Sequence, residues 1–165
     1  AYLNDGKAKG NELAAKYVAA VEKFNAAYDK LGEVINTTNK EKNKKKMEQM
    51  KKDGYKNYAA VMEATLRLTE LVEKVQATYT NPDKAAIEKE IGEMQACLKG
   101  IDTKDSHKES LVRNFNDTVG AIRQVMVDPN DKYQDRNLNR MIQQYNSYID
   151  SYNRTKPDDL DGKKK

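Results

Sequence analysis

Cys97 and His107 are the only cysteine and the only histidine, so they bound the side-chain chemistry open to this chain. A cysteine nucleophile needs a base to hold it as thiolate, and His107 follows across a predicted helix end, so the two read as unconnected. Cys97 neighbours Met94 and Leu98 and is expected to be a small buried hydrophobe. His107 stands among charged residues at a helix start and is expected on the exposed surface, without the partners that a metal site or a Ser–His–Asp device requires. A single cysteine excludes an internal disulfide and a cysteine-rich metal site. Carboxylates are plentiful, but none forms the Glu-x-x-His pair of di-iron bundles, and there is no phosphate-cradling glycine loop. The expectation is therefore a non-enzyme with no catalytic residue, no metal and no cofactor.

The sharpest electrostatic feature is a run of seven lysines, Lys40, Lys42, Lys44, Lys45, Lys46, Lys51 and Lys52. Such a run can contact an anionic lipid surface, an acidic polymer or nucleic acid. It holds no Arg, and no aromatic occurs before Tyr55, which removes the bidentate and stacking groups that nucleic-acid readers use. A solvated helix face is the plainer expectation.

These residues must be positioned by helices. Ala14, Tyr17, Val21, Phe24, Tyr28, Leu31 and Ile35 recur at alternating spacings of three and four, the seam of a helix packed lengthwise on others. Asn11 is the expected N-cap of this first helix, and Asn36-Thr37-Thr38-Asn39 its end. Thr38 and Glu41 match a capping box for a second helix from near Asn39 to Tyr79, through or broken at Asp53-Gly54. Its seam is Tyr58, Val61, Thr65, Leu68, Val72, Val75 and Tyr79. Asn81 and Pro82 read as N-cap and first residue of a third helix carrying Ile87, Ile91, Met94 and Leu98, closed by Gly100. Ser106 and Glu109 form a capping box for a fourth, with Leu111, Phe115, Val119, Ile122 and Met126. Asp128-Pro129-Asn130-Asp131 breaks the chain, and a fifth helix carries Leu138, Ile142, Tyr145, Ile149 and Tyr152.

With no stretch of period two, the predicted class is all-α: an antiparallel up-and-down bundle of four to five helices, without sheet. Residues 1–10 are expected as a flexible lead-in, 11–155 as one domain and 156–165 as a frayed polar tail. The 165 residues suffice for one continuous core. Thirty Lys and Arg against 26 Asp and Glu give a net charge of only +4, too even to mark a nucleic-acid binder. No apolar run approaches the roughly 20 residues that cross a bilayer. Ten Tyr against two Phe and no Trp suit thin seams, where a ring is buried and its hydroxyl stays wet. A closed bundle of this kind is expected as a monomer.

Aromatic-Asn steps recur at Phe24-Asn25, Phe115-Asn116, Tyr145-Asn146 and Tyr152-Asn153. An Asn beside a seam can fix helix register, and on this basis helices one, four and five are expected to meet. The pattern over Tyr17 to Asn36 and Tyr145 to Asn153 resembles the Tyr-Asn-rich helical domains of bacterial envelope lipoproteins, the YiiG-like family. That resemblance implies an extracytoplasmic location, in the periplasm or at the cell surface, and no catalytic residues. It departs from the family in lacking a lipidation Cys at the start, which a processed or trimmed N-terminus would explain. The functional expectation is a binding or structural module whose partner is a protein or an envelope polymer. The alternative is a binder of acidic surfaces through Lys40 to Lys52.

Overall fold

The first helix, α1 (Tyr2–Lys52), runs for 51 residues and ends where the sequence offers a glycine. Gly54 takes φ of 87°, the left-handed conformation that costs residues with a Cβ. The Tyr55 N–H then reaches back to the Met50 carbonyl (2.9 Å) and the Gly54 N–H to that of Lys51 (3.1 Å). This Schellman pair satisfies carbonyls that the helix end would leave open. The break allowed for at Asp53-Gly54 is thus real, while the one expected at Asn36–Asn39 is not. There Thr38 donates from Oγ1 to the Val34 carbonyl at 2.8 Å, folding its hydroxyl back onto the helix. Without Pro, a short polar cluster costs only a few tenths of a kcal/mol per residue, too little to stop a helix. The helix also begins at Tyr2, upstream of the expected cap at Asn11.

The computed structural model describes residues 2–127 and 132–162. Among these it is helical with no strand, in keeping with the predicted all-α class. The expected turn at 128–131 lies outside the described residues, as does the end of the tail at 163–165. The chain divides into two units, Ala1–Lys46 and Met47–Lys165.

The second unit is the bundle. It comprises α2 (Lys56–Thr78), α3 (Lys84–Leu98), α4 (Ser106–Val127), α5 (Gln134–Arg154) and a short α6 (Pro157–Asp161). α2 pairs with α3 and α4 with α5, while α2 also touches α4, α5 and α6. Short connections make sequential neighbours antiparallel. Leu68, Ile87, Ile91, Met94, Leu111, Phe115, Ile122, Met141 and Tyr148 are fully buried at its centre, each worth roughly 1.5–3 kcal/mol of transfer from water. The Phe115 ring meets Tyr148 edge-on, centroids 5.6 Å apart, an arrangement that aromatic quadrupoles favour.

The caps of α3 and α4 lie a residue or two from those expected from the sequence. Asp83, two residues past Asn81, caps α3 by accepting from the Ala86 N–H at 3.1 Å. Asp105, one before Ser106, accepts from the N–H groups of His107 (2.9 Å) and Lys108 (3.2 Å). A carboxylate caps as well as a hydroxyl and also favours the positive helix end; the bonds from Lys108 and His107 hold the Asp105 carboxyl below its usual range. Gly100 does not take a left-handed conformation. The expected frayed tail is, as far as Gly162, an ordered element: α6 buries Leu160 and binds the start of α2.

Candidate functional site

The seam of α1 has the periodicity of a packed helix and the exposure of an unpacked one. Leu13, Tyr17, Val18, Val21, Phe24, Tyr28, Leu31, Val34 and Ile35 all lie open, with Tyr17 at 72% and Phe24 and Tyr28 at 68% of full exposure. At 3.6 residues per turn these nine fall within an arc of about 200°, centred on Tyr17, Phe24, Tyr28 and Ile35 with Val18 and Val34 at its edges, and the Phe24 and Tyr28 rings stack along it at 6.3 Å. The expectation that Ala14 to Ile35 is a buried packing strip is therefore corrected. A hydrophobic period creates a face, but it does not supply the surface that covers it.

The lysines occupy the far part of the same helix. Lys40, Lys42, Lys44, Lys45 and Lys46 belong to the first unit and Lys51 and Lys52 to the second, and every one is exposed. Lys40 and Lys44 share one side of the helix, Lys42 and Lys46 another, and Lys45 lies between, so the charge encircles the helix without forming a stripe. Lys51 lies 3.5 Å from Glu63. In the second unit Met47 and Met50, the apolar residues of this segment, pack against the bundle core.

Of the Asn in the aromatic-Asn steps, Asn116 makes one exposed bond across helices, its Oδ1 accepting from Gln95 Nε2 of α3 at 3.4 Å. Asn25, Asn116, Asn146 and Asn153 are exposed, which removes the half-buried register role expected for them. Register is set instead by two hydroxyl pairs between α2 and α5. Thr65 Oγ1 lies 2.7 Å from both the Val61 carbonyl and the Tyr148 hydroxyl. Its single proton goes to the carbonyl, so Tyr148 is the donor to Thr65. Thr69 repeats this, donating to the Thr65 carbonyl (2.9 Å) and accepting from Tyr145 (2.9 Å). Between α4 and α5 the bonding amide is Asn114, which donates to Ser151 Oγ at 2.6 Å. Burial pushes the Tyr148 and Tyr152 phenols above their usual range.

Cys97 is half-buried against the core, with its Sγ 3.5 Å from the Glu93 carbonyl. Desolvation first, and the charge of Glu63 second, raise its thiol above the usual range, the opposite of an activated thiolate. His107 is half-buried, not exposed, and its Nε2 lies 3.2 Å from Thr155 Oγ1. Thr155 gives its proton to the Ser151 carbonyl at 2.8 Å, so the imidazole donates from Nε2 and ties the start of α4 to the end of α5. The sequence reading also missed an open polar groove of about 850 Å³ lined by Gln124, Tyr133, Arg136, Arg140, Gln143 and Gln144. The Arg and amide run from Gln134 to Gln144 was its visible signal. Among the described residues no group of three or more His, Cys, Asp or Glu is placed to hold a metal ion, and no helix is long and apolar enough to cross a membrane. No protein-family model, curated protein or solved structure matches the chain.

Proposed function

We propose that this protein is a non-enzymatic binding or structural module whose contact surface is the apolar face of α1. The observation that carries this reading is the run of nine large apolar residues left open along that arc of the helix, since contiguous apolar surface of this kind marks interaction sites. The resemblance to YiiG-like lipoproteins supports an extracytoplasmic setting in a bacterial envelope, with a protein or a wall polymer as partner. The test is photo-cross-linking in the producing cells, with the reactive group at Phe24 on the face or at Ala26 on the opposite side. Adducts from Phe24 alone support the reading. Equal labelling from both positions, or a turnover lost in Cys97→Ala or His107→Ala, overturns it.

A second reading, binding of acidic surfaces through Lys40 to Lys52, is favoured by the exposure of all seven lysines of that segment. Binding to phosphatidylglycerol vesicles would then weaken steeply with salt, because each neutralised phosphate releases a counterion. Replacing Lys42, Lys44, Lys45 and Lys46 by Gln would flatten that dependence; an unchanged slope overturns it.

A further inference from the structure

We infer that the apolar face of α1 is covered by the same face of a second copy of this chain, the two helices lying parallel and in register. This rests on the reading of α1 as the contact surface and names its occupant.

The seam fits a heptad. Ala14, Val21, Tyr28 and Ile35 fall at the first core position, and Tyr17, Phe24, Leu31 and Thr38 at the second. β-branched residues at the first position and Leu at the second are the two-stranded preference, met here by Val21, Ile35 and Leu31. The flanking positions carry no charge: Leu13, Ala20, Ala27 and Val34 on one side, Val18, Asn25, Gly32 and Asn39 on the other. The apolar ones widen the contact, and the small ones leave room for the Tyr17, Phe24 and Tyr28 rings.

Orientation is written in the next ring of residues. Beyond the flank of Ala20 and Ala27 stand Lys16, Lys23 and Lys30, all exposed, and beyond that of Val18 and Asn25 stand Glu22 and Asp29, also exposed. Lys16 is additionally paired with Glu12 at 2.6 Å. In a parallel pair each helix sets the first flank against its partner's second, so both edges bring lysines to carboxylates. In an antiparallel pair like flanks meet, which sets lysines against lysines and acids against acids. Each exposed pair is weak, but the sign is the same along the whole length, and such patterns select orientation.

The size of the face agrees. Three rings and six aliphatic side chains at these exposures leave about 800 Å² of apolar surface, what each partner gives to a standard interface and above the roughly 300–600 Å² patch of an ordinary monomer. A lipid surface fits less well. Residues 12–35 carry four acids and three lysines, whereas helices that lie on anionic membranes have a lysine- and arginine-rich polar face.

The experiment uses the full chain with Cys97→Ala, carrying Ala14→Cys or Ile35→Cys singly. The expected result is a dimer mass by sedimentation equilibrium at tens of micromolar, with each variant forming a disulfide to its own kind on oxidation. Val21→Glu with Leu31→Glu should return the monomer and leave the unfolding of the 47–165 bundle unchanged. A monomer throughout overturns the inference, whether α1 then docks on its own bundle, seen as protection from hydrogen exchange, or on phosphatidylglycerol vesicles. So does a dimer in which Ala14→Cys cross-links only to Ile35→Cys, the antiparallel product. In these cases Phe24 would still label a contact in cells, and the broader reading stands until Phe24 and Ala26 label alike or a turnover dependent on Cys97 or His107 is found.

Discussion

The carboxylate of Asp161 accepts from the backbone N–H of Asn57 at 2.8 Å and from that of Tyr58 at 2.9 Å. These are open donors in the first turn of α2, whose own preceding residue, Tyr55, offers no capping side chain. A residue from the far end of the chain thus performs the work of a local N-cap and places a negative charge on the positive helix end. Asn57 returns a bond from Nδ2 to the Leu160 carbonyl at 3.1 Å, and the Tyr55 hydroxyl donates to Asp158 at 3.2 Å, which raises the Tyr55 phenol above its usual range.

Asp161→Ala should therefore destabilise the bundle by about 1–2 kcal/mol, the loss of a cap and its charge. Asp161→Asn should lose less, since an amide oxygen still accepts. Removing the chain after Lys156 should cost more than either, because buried Leu160 leaves with it. Urea unfolding followed by circular dichroism checks the order, and equal midpoints for wild type and Asp161→Ala would show that α6 does not secure α2.

Tyr148→Phe keeps the ring against Phe115 and deletes the donor to Thr65, so it should cost about 1 kcal/mol. Tyr148→Ala also opens a cavity and should cost about 3–5 kcal/mol. Burial raises the Tyr148 phenol above its ordinary value of 10.0. A raised folded value means that stability is fully present below the unfolded value and is lost as pH rises past it, since the unfolded chain releases a proton that the fold retains. Unfolding midpoints should thus hold up to about pH 10 and fall above it. Tyr148→Phe should make that fall shallower, with Tyr152 supplying what remains.

How much of this was legible depended on whether a feature was local. In α4 the residues read as core, Leu111, Phe115, Val119, Ile122 and Met126, are all buried, as are Tyr58, Val61, Leu68, Val72 and Val75 of α2. A 3.6-residue period reports a face directly. The same period in α1 led to an expectation of burial that its exposure corrects, because periodicity carries no information on which surface lies opposite. Gly54 was readable because only glycine takes that backbone conformation cheaply. The α6 contact was not, since five residues with one apolar side chain have no period. Nor were the Tyr–Thr pairs, whose partners come from helices distant in sequence. The exposed lysines needed no structure to be seen.

Acid should weaken the bundle modestly. Hydrogen bonds from Arg67 hold Glu90 below its ordinary value of 4.5, and those from Arg123 do the same for Glu88. Arg67 also bonds Glu93, and it joins α2 to α3 as Arg123 joins α4 to α3. A lowered folded value gives stability that is present above the unfolded value and lost as pH falls through the folded one. These groups are partly exposed and screened, so Arg67→Met and Arg123→Met should each cost about 1 kcal/mol or less at neutral pH. Each should also reduce the drop in urea midpoint between neutral pH and a pH below 4.5. An undiminished drop in both variants would place the acid sensitivity elsewhere.

Gly54 offers a test of the turn that ends α1. At φ of 87° an added Cβ approaches the following carbonyl, at a cost of about 1–2 kcal/mol in the folded state. Alanine also restricts the unfolded chain, which offsets part of that, about 0.4–1 kcal/mol. Gly54→Ala should therefore be destabilising by about 1 kcal/mol, and Gly54→Asn by less, because Asn tolerates this conformation better. The bonds at risk are those from Tyr55 to Met50 and from Gly54 to Lys51, and Met50 and Tyr55 both pack on the bundle core. The strain thus falls on contacts that, within the second unit, hold the last turn of α1 to the bundle core. Hydrogen exchange should show faster opening at the Tyr55 amide in Gly54→Ala than in wild type. An alanine variant as stable as wild type, with Tyr55 equally protected, would mean that the chain turns there without the left-handed residue.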